Sequence, residues 1–375
     1  MLTMLLVATL PTAMYDIDPK SLRATVEKLA SFQTRNTSSP GLNEAAEWIA
    51  SEYRKIPGMQ AEIMKYTIPK GRRVPEEKEV VQVIAKLPGE DDRALMVGGH
   101  FDSLNMQGDI MTGRAPGAND DGSGTALALE AARAMAGTKR KHTVVFVAWS
   151  GEEQGLFGSK AMAERAKTEG WKLDAVLSND TVGSSSNKAG DKDASHIRLF
   201  SDESDEHQSR ELARYIAWLA RNDPFQPKLV FRRDRFGRGG DHMSFNDLGF
   251  TAVRFVEVHE EYTRQHTEDD LPAAMDFDYL ANVTRLNVKV LSSLADAGPQ
   301  PERVTIDRRQ GVGAHIRWQA TPGTEYEVLW RDTTSPVWEG SLKVGAASEA
   351  RFDKIGKDDH IFAVGAVGGI PVEAK

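Results

Sequence analysis

The chain predicts an α/β fold, a mostly parallel mixed sheet with helices on both faces, followed by a small C-terminal β-sandwich. Three observations carry this expectation. Apolar runs of strand length at 94–99, 143–149, 175–179 and 251–256 alternate with helix-like segments at 125–135, 159–169, 207–222 and 277–294. Strands covered on both faces by crossover helices read as continuous apolar runs of this kind. After the break Ala297-Gly298-Pro299-Gln300-Pro301 the texture changes to short alternating runs at 304–307, 315–319, 326–331, 338–343 and 360–367, the pattern of a small sandwich. Finally, acids and histidines gather where the apolar runs of the first part end, which is where open α/β sheets build their sites.

The elements follow in order. Between Asp18 and Ile56 apolar residues recur at helical spacing (Leu22, Val26, Leu29, then Ala45, Trp48, Ile49, Tyr53), so a helical pair flanks the turn-rich 36–41 segment. Residues 64–68 and 79–87 read as paired strands across a charged loop containing Arg72 and Arg73. Gly122-Ser123-Gly124 opens a helix rich in Ala and Leu, with no β-branched residue after Thr125. The Ser-, Gly-, Asp- and Lys-rich 184–194 segment is a loop. The expected organisation is a leader over 1–14, a large unit over 15–297 and a module over 302–375. Through Trp318, Tyr326, Trp330 and the 358–364 run, the last is similar to a fibronectin type III domain.

Composition narrows the function. With 375 residues the chain is long enough for one large and one small domain. A formal net charge of −8 repels phosphate, so nucleic acid is not an expected partner. Cysteine is absent, so any bound metal must be held by nitrogen and oxygen. The opening 1–13 run is apolar, with small residues ahead of Met14 but no positive start, and reads as a secretory signal. Secreted or periplasmic localisation is expected, with no membrane span.

Five short patterns sit at the predicted strand ends: Gly98-Gly99-His100-Phe101-Asp102, Pro116-Gly117-Ala118-Asn119-Asp120-Asp121, Gly151-Glu152-Glu153, Ser178-Asn179-Asp180 and Gln265-His266-Thr267-Glu268-Asp269-Asp270. Any one fragment has an ordinary reading: Glu152-Glu153 as a helix start, His100 as a core imidazole, Asp180 as a loop cap. Together they offer the His and carboxylate inventory of a two-metal site, about five ligands with one shared. In this order they resemble the di-zinc exopeptidase family that contains secreted bacterial aminopeptidases and glutamate carboxypeptidases, over roughly residues 16–296.

The resemblance implies two zinc ions and peptide substrates. His100 and Asp180 would hold one ion, Glu153 and His266 the other, and Asp120 would bridge them. It also implies Glu152 as general base and a cis peptide after Asp120. Asp102, two residues beyond His100, is placed to orient that imidazole. His242 and His259 compete for the last ligand position, and Tyr262 is a candidate donor to the oxyanion.

Asn119, where many relatives carry Asp, and Gln265, where an aromatic is frequent, depart from the family's pattern. An aminopeptidase is expected, because an acidic pocket welcomes a free α-ammonium. A carboxypeptidase using Arg232, Arg233, Arg235 or Arg238, a glutaminyl cyclase of the same fold and a non-catalytic receptor-like binding protein are the alternatives. Oligomeric state is left open.

Overall fold

The computed structural model describes residues 16–204 and 208–375. The expected leader over 1–14 therefore lies outside the described residues, as does His207 at the start of one expected helix. The helical pair forms as α1 (Pro19–Ala30) and α2 (Pro40–Arg54), each starting on a proline and capped by Asp18 or Ser39. Proline suits the first turn because its missing N–H is one the helix cannot satisfy internally. There follow β1 (Gln60–Ile68), β2 (Lys78–Leu87), β3 (Arg93–His100), α3 (Gly122–Met135), β4 (Thr143–Trp149) and the short α4 (Glu152–Gly155). Next come α5 (Phe157–Thr168), β5 (Lys172–Asn179), β6 (His196–Phe200), α6 (Ser209–Ala220), β7 (Gln226–Val230), α7 (His242–Asn246), β8 (Ala252–Glu257) and α8 (Phe277–Ala295).

These strands form one sheet in the order β1-β2-β4-β3-β5-β8-β6-β7. The four central strands are mutually parallel, while β1 and β2 at one side and β6 against β8 at the other run antiparallel. From β3 the chain passes through α3 to β4 on one side, then through α5 to β5 on the other. That reversal opens a crevice at the carboxyl ends of the strands. The ends are level: His100 lies opposite Trp149, Gly98 opposite Ser178, and Asn179 opposite Phe255.

Strand alternation explains why the runs are apolar throughout. In β4, Val144, Phe146 and Ala148 join the core containing Leu22, Leu127 and Leu291, whereas Val145, Val147 and Trp149 join Met162, Ala163 and Phe245 on the opposite face. At the end of β3, a Cβ on Gly99 would stand 2.4 Å from Asp121 Oδ2 and 2.7 Å from the Gly124 backbone. Only glycine lets the start of α3 rest on the strand this closely.

Strands β6 and β7 and the five-residue α7 were not legible in the sequence. β7 carries Pro227 at the sheet edge, where a missing N–H is tolerated, and β6 is short and only partly apolar.

The C-terminal segment contains β9 (Glu302–Ile306), β10 (Gly313–Gln319), β11 (Tyr326–Asp332), β12 (Gly340–Gly345), β13 (Glu349–Gly356), β14 (His360–Ala366) and β15 (Val372–Glu373). They make two antiparallel sheets, β13-β10-β9 and β12-β11-β14-β15. Between them Ile316, Trp318 and Phe352 meet Val328, Phe362 and Val364. The other face of the four-stranded sheet, through Leu329 and Ala363 with Trp338 and Ile370, packs into the core of the large sheet unit. Trp338 thus precedes its strand rather than opening it. The strand begins at Gly340, where a Cβ would meet the Trp330 ring at 2.3 Å.

The junction also buries an ionic cluster in which Glu211 pairs with Arg214, Arg214 approaches Glu373 at 3.7 Å, and Arg331 reaches Glu373 at 3.0 Å. Among the described residues no helix is long and apolar enough to cross a membrane.

Candidate metal centre

Three strand ends, one helix start and one loop deliver the site. His100 is the last residue of β3, and its Nδ1 donates to the Asp102 carbonyl at 3.1 Å. That bond leaves Nε2 as a lone-pair donor. Trp149 ends β4, and Gly151, with φ 70°, turns the chain so that Glu152 and Glu153 begin α4 at the cleft. Asp120 precedes α3, Asp180 follows β5, and His266 lies on the loop after β8 with a left-handed φ of 59°. Such a conformation is costly outside glycine and recurs at functional sites. The Asp120–Asp121 peptide bond is cis, and so is Asp180–Thr181.

All five expected ligands converge. His100 Nε2 stands 3.2 Å from Asp120 Oδ1 and 3.8 Å from Asp180 Oδ2; His266 Nε2 stands 3.0 Å from Asp120 Oδ2 and 3.1 Å from Glu153 Oε1. Asp120 thus presents one oxygen to each imidazole. His100 Nε2, Asp120 Oδ2, Glu153 Oε1 and Asp180 Oδ1 are buried without a hydrogen-bond partner. Buried polar atoms are ordinarily satisfied, so four orphans on neighbouring residues fit cation binding. His100 with Asp120 and Glu153, and His100 with Asp121 and Asp180, form groups able to hold a metal. Asp121 is the weaker candidate, because its carboxylate already accepts from the His100 and Gly124 amides and the Ser123 hydroxyl.

The electrostatics point the same way. Burial holds the Glu152 carboxyl well above the usual range, with Glu153 and Asp180 adding to the effect against the pull of His100. Burial disfavours charge on His266, yet Glu153 and Asp120 outweigh it and lift the imidazole to about 11. A crowd of buried carboxylates must take up protons or find cations.

The sequence of peptidase family M28 matches residues 82–291, more than half of the chain. The chain belongs to this family. A probable zinc metalloprotease of Pyricularia oryzae is 36% identical over 418 aligned positions, covering 96% of this chain and 82% of the relative. Another from Pyrenophora tritici-repentis is 37% identical, covering 94% and 83%. This M28 chain is accordingly a zinc-dependent peptidase.

Its fold matches the Legionella pneumophila LapA aminopeptidase (TM-score 0.59, 23% identity, 74% of this chain and 72% of that one). It also matches the Bacillus subtilis zinc aminopeptidase BSAP (0.61, 16%, 74% and 95%). A further match is the Fimbriiglobus ruber glutaminyl cyclase (0.58, 21%, 73% and 94%).

Several residues that support the M28 site escaped sequence reasoning. Arg254, fully buried in β8, donates to Asp180 Oδ2 at 2.8 Å, to the Asp180 carbonyl at 2.9 Å and to Asp234 at 2.7 Å. It leaves Asp180 Oδ1 free. A charged residue inside an otherwise apolar strand was the available signal. Arg35, also fully buried, bonds to the carbonyls of Leu29, Phe101, Pro116 and Gly117, tying the two loops beside His100 and Asp120. No pattern in the sequence announced it. Asp270 accepts from the Asn119 and Asp120 amides.

The structure also places the remaining residues named from the sequence. The Asp102 carboxylate lies 3.4 Å from His100 Nδ1, farther than its own carbonyl, because it accepts from the Glu152 and Glu153 amides. It therefore links the His100 strand to the Glu152 turn. Asn119 donates to Glu257 and accepts from Gly183 N, contacts in which an aspartate would face a second carboxylate. His242 bonds to the Arg233 carbonyl, and Tyr262 donates to Glu260, so neither joins the ligand cluster.

Proposed function

We propose that this M28 peptidase is a di-zinc aminopeptidase that removes N-terminal residues from short peptides. In this reading His100 and Asp180 hold one ion, Glu153 and His266 the other, and Asp120 both. The observation that carries it is the convergence of unpartnered ligand atoms around Asp120. Bound zinc would supply Lewis acidity toward the scissile carbonyl and the attacking water.

Glu152 lines the cleft with a carboxylate that makes no hydrogen bond among the described residues, so it can take the water's proton and return it to the leaving amine. Asp102 fixes this turn through the Glu152 amide. Glu152, the cleft carboxylate that holds no metal in this reading, favours a substrate ammonium at the same end of the cleft. Fold neighbours named as aminopeptidases support the choice.

The test is hydrolysis of leucine p-nitroanilide before and after chelation, beside N-blocked peptides with free C-termini. Glu152→Gln should keep its zinc and lose roughly a hundred- to ten-thousand-fold in kcat. Cleavage of blocked peptides alone would remove the aminopeptidase assignment. One zinc per chain would favour a cyclase-like reading over the di-zinc one. Export remains part of the proposal, and N-terminal sequencing of mature protein starting near residue 15 would support it.

A further inference from the structure

The cleft of about 580 Å³ is not uniformly acidic: beyond Asp120, Glu152, Glu153 and Asp180 it is lined by Arg72, Arg73, Arg238 and Arg254. Their states differ. Arg254 is committed to Asp180 and Asp234, and Arg73 bonds to the Glu153 carbonyl, 3.9 Å from that carboxylate. Among the described residues the Arg238 guanidinium makes one hydrogen bond, to Gln265 Oε1 at 2.7 Å, and lies over the Tyr262 ring at 4.9 Å. Arg72 is exposed and has no hydrogen-bond or ion-pair partner among the described residues. A guanidinium carries five N–H donors in a planar fork, so these two retain most of their donors for a bound molecule.

Convergence separates this arrangement from ordinary solvated arginines. Arg72 comes from the β1–β2 loop and Arg238 from the 231–241 loop, yet both reach the same cleft. The neighbours of Arg238 in sequence do not: Arg235 pairs with Asp234 and Glu260, Arg233 with Asp247, and Arg232 covers Phe236 at 4.1 Å. Exposed apolar groups stand beside two of the cleft arginines, Arg73 and Arg238. Met106, 50% exposed, lies 3.8 Å from Arg73, and Tyr262, 53% exposed, underlies Arg238.

We propose that Arg72 and Arg238 select substrates bearing a free carboxylate beyond the scissile bond, a preference that rests on the peptidase reading above. The guanidinium fork matches a carboxylate in two parallel hydrogen bonds. The apolar rim would cover the intervening chain. The carboxylate is either the C-terminus of a very short peptide or an acidic side chain.

Leucyl-alanine, leucyl-alaninamide and leucyl-glutamic α-amide distinguish these sources. The zinc-loaded wild type is expected to favour one or both carboxylate-bearing peptides over the alaninamide by about tenfold in kcat/KM, the scale of one charge-assisted contact near solvent. In Arg72→Gln/Arg238→Gln the ratio should collapse toward one. In the wild type it should also fall as salt is raised. Equal kcat/KM for the three peptides, or a preference that survives the double variant, overturns the proposal. If only N-acetylated counterparts are cleaved, the aminopeptidase reading falls, and the same ratio measured within that set still decides the role of the arginines.

Discussion

Two buried clusters of charge lie in this molecule, and they are built on opposite rules. At the junction with the C-terminal sandwich, Glu211 and Glu373 are matched by Arg214 and Arg331, two against two. At the carboxyl ends of the central strands, Asp102, Asp120, Glu152, Glu153 and Asp180 crowd together, and among the described residues Arg254 is the one guanidinium in direct hydrogen-bonded contact with a carboxylate of this group. At the junction each carboxylate has a guanidinium partner, although one oxygen of Glu211 makes no hydrogen bond, so this cluster belongs to the fold. The strand-end cluster leaves ligand atoms unpartnered and is complete only with cations, so it belongs to the chemistry.

Substitutions should separate the two. Asp120→Asn is expected to have the largest effect: both proposed zinc sites weaken together, and turnover falls more than about a thousandfold, since acid, base and metal act as a unit. Metal analysis after dialysis, alongside kcat, checks this; full zinc occupancy with normal turnover would break the contrast. Zinc should also protect the fold, by about 4 kcal/mol at a thousand times Kd.

Arg214→Ala should do the reverse. Leaving Glu211 buried without its partner is expected to cost about 3–5 kcal/mol of stability, while zinc content and kcat per folded molecule stay unchanged. Urea unfolding and metal analysis on one sample would show it.

A smaller effect sharpens the comparison through two imidazoles. His266 is lifted by its carboxylate neighbours, whereas burial pushes His242 down to about 4, partly offset by Asp234. His242 is neutral when folded and has a usual value near 6.5 when unfolded. Its contribution is therefore intact above about pH 6.5 and is lost as pH falls toward 4, by about 3 kcal/mol in all. His242→Gln should lose less stability than wild type between pH 7.5 and 4.5 in chemical denaturation. Identical losses would remove the assigned role.

What could be read in advance depended on how local each signal was. Strands β3, β4, β5 and β8 were legible because burial on both faces leaves few polar positions to confuse the pattern, Arg254 in β8 being one of them. β7, holding Pro227 at an edge, offered no such run. The gathering of His100, Asp120, Glu153, Asp180 and His266 was legible because short His and acid patterns follow the apolar runs in the order of a known family. The hydrogen bonds that hold them were not: Arg35 and Arg254 act on carbonyls and carboxylates 66 to 82 residues away, apart from Leu29 and the nearby Asp234 and Gly239.

The sequence by itself determined the layered α/β class, the separate β-rich C-terminus and the set of groups able to bind metal, because each is written in short-range periodicity and residue type. Tertiary structure alone decided which oxygen of Asp180 is free, which acceptor orients His100, that the sandwich is anchored by the second face of one of its sheets, and that Arg72 and Arg238 share a cleft with the acids. Those are consequences of distance and direction between remote segments, and no local pattern of side chains encodes them.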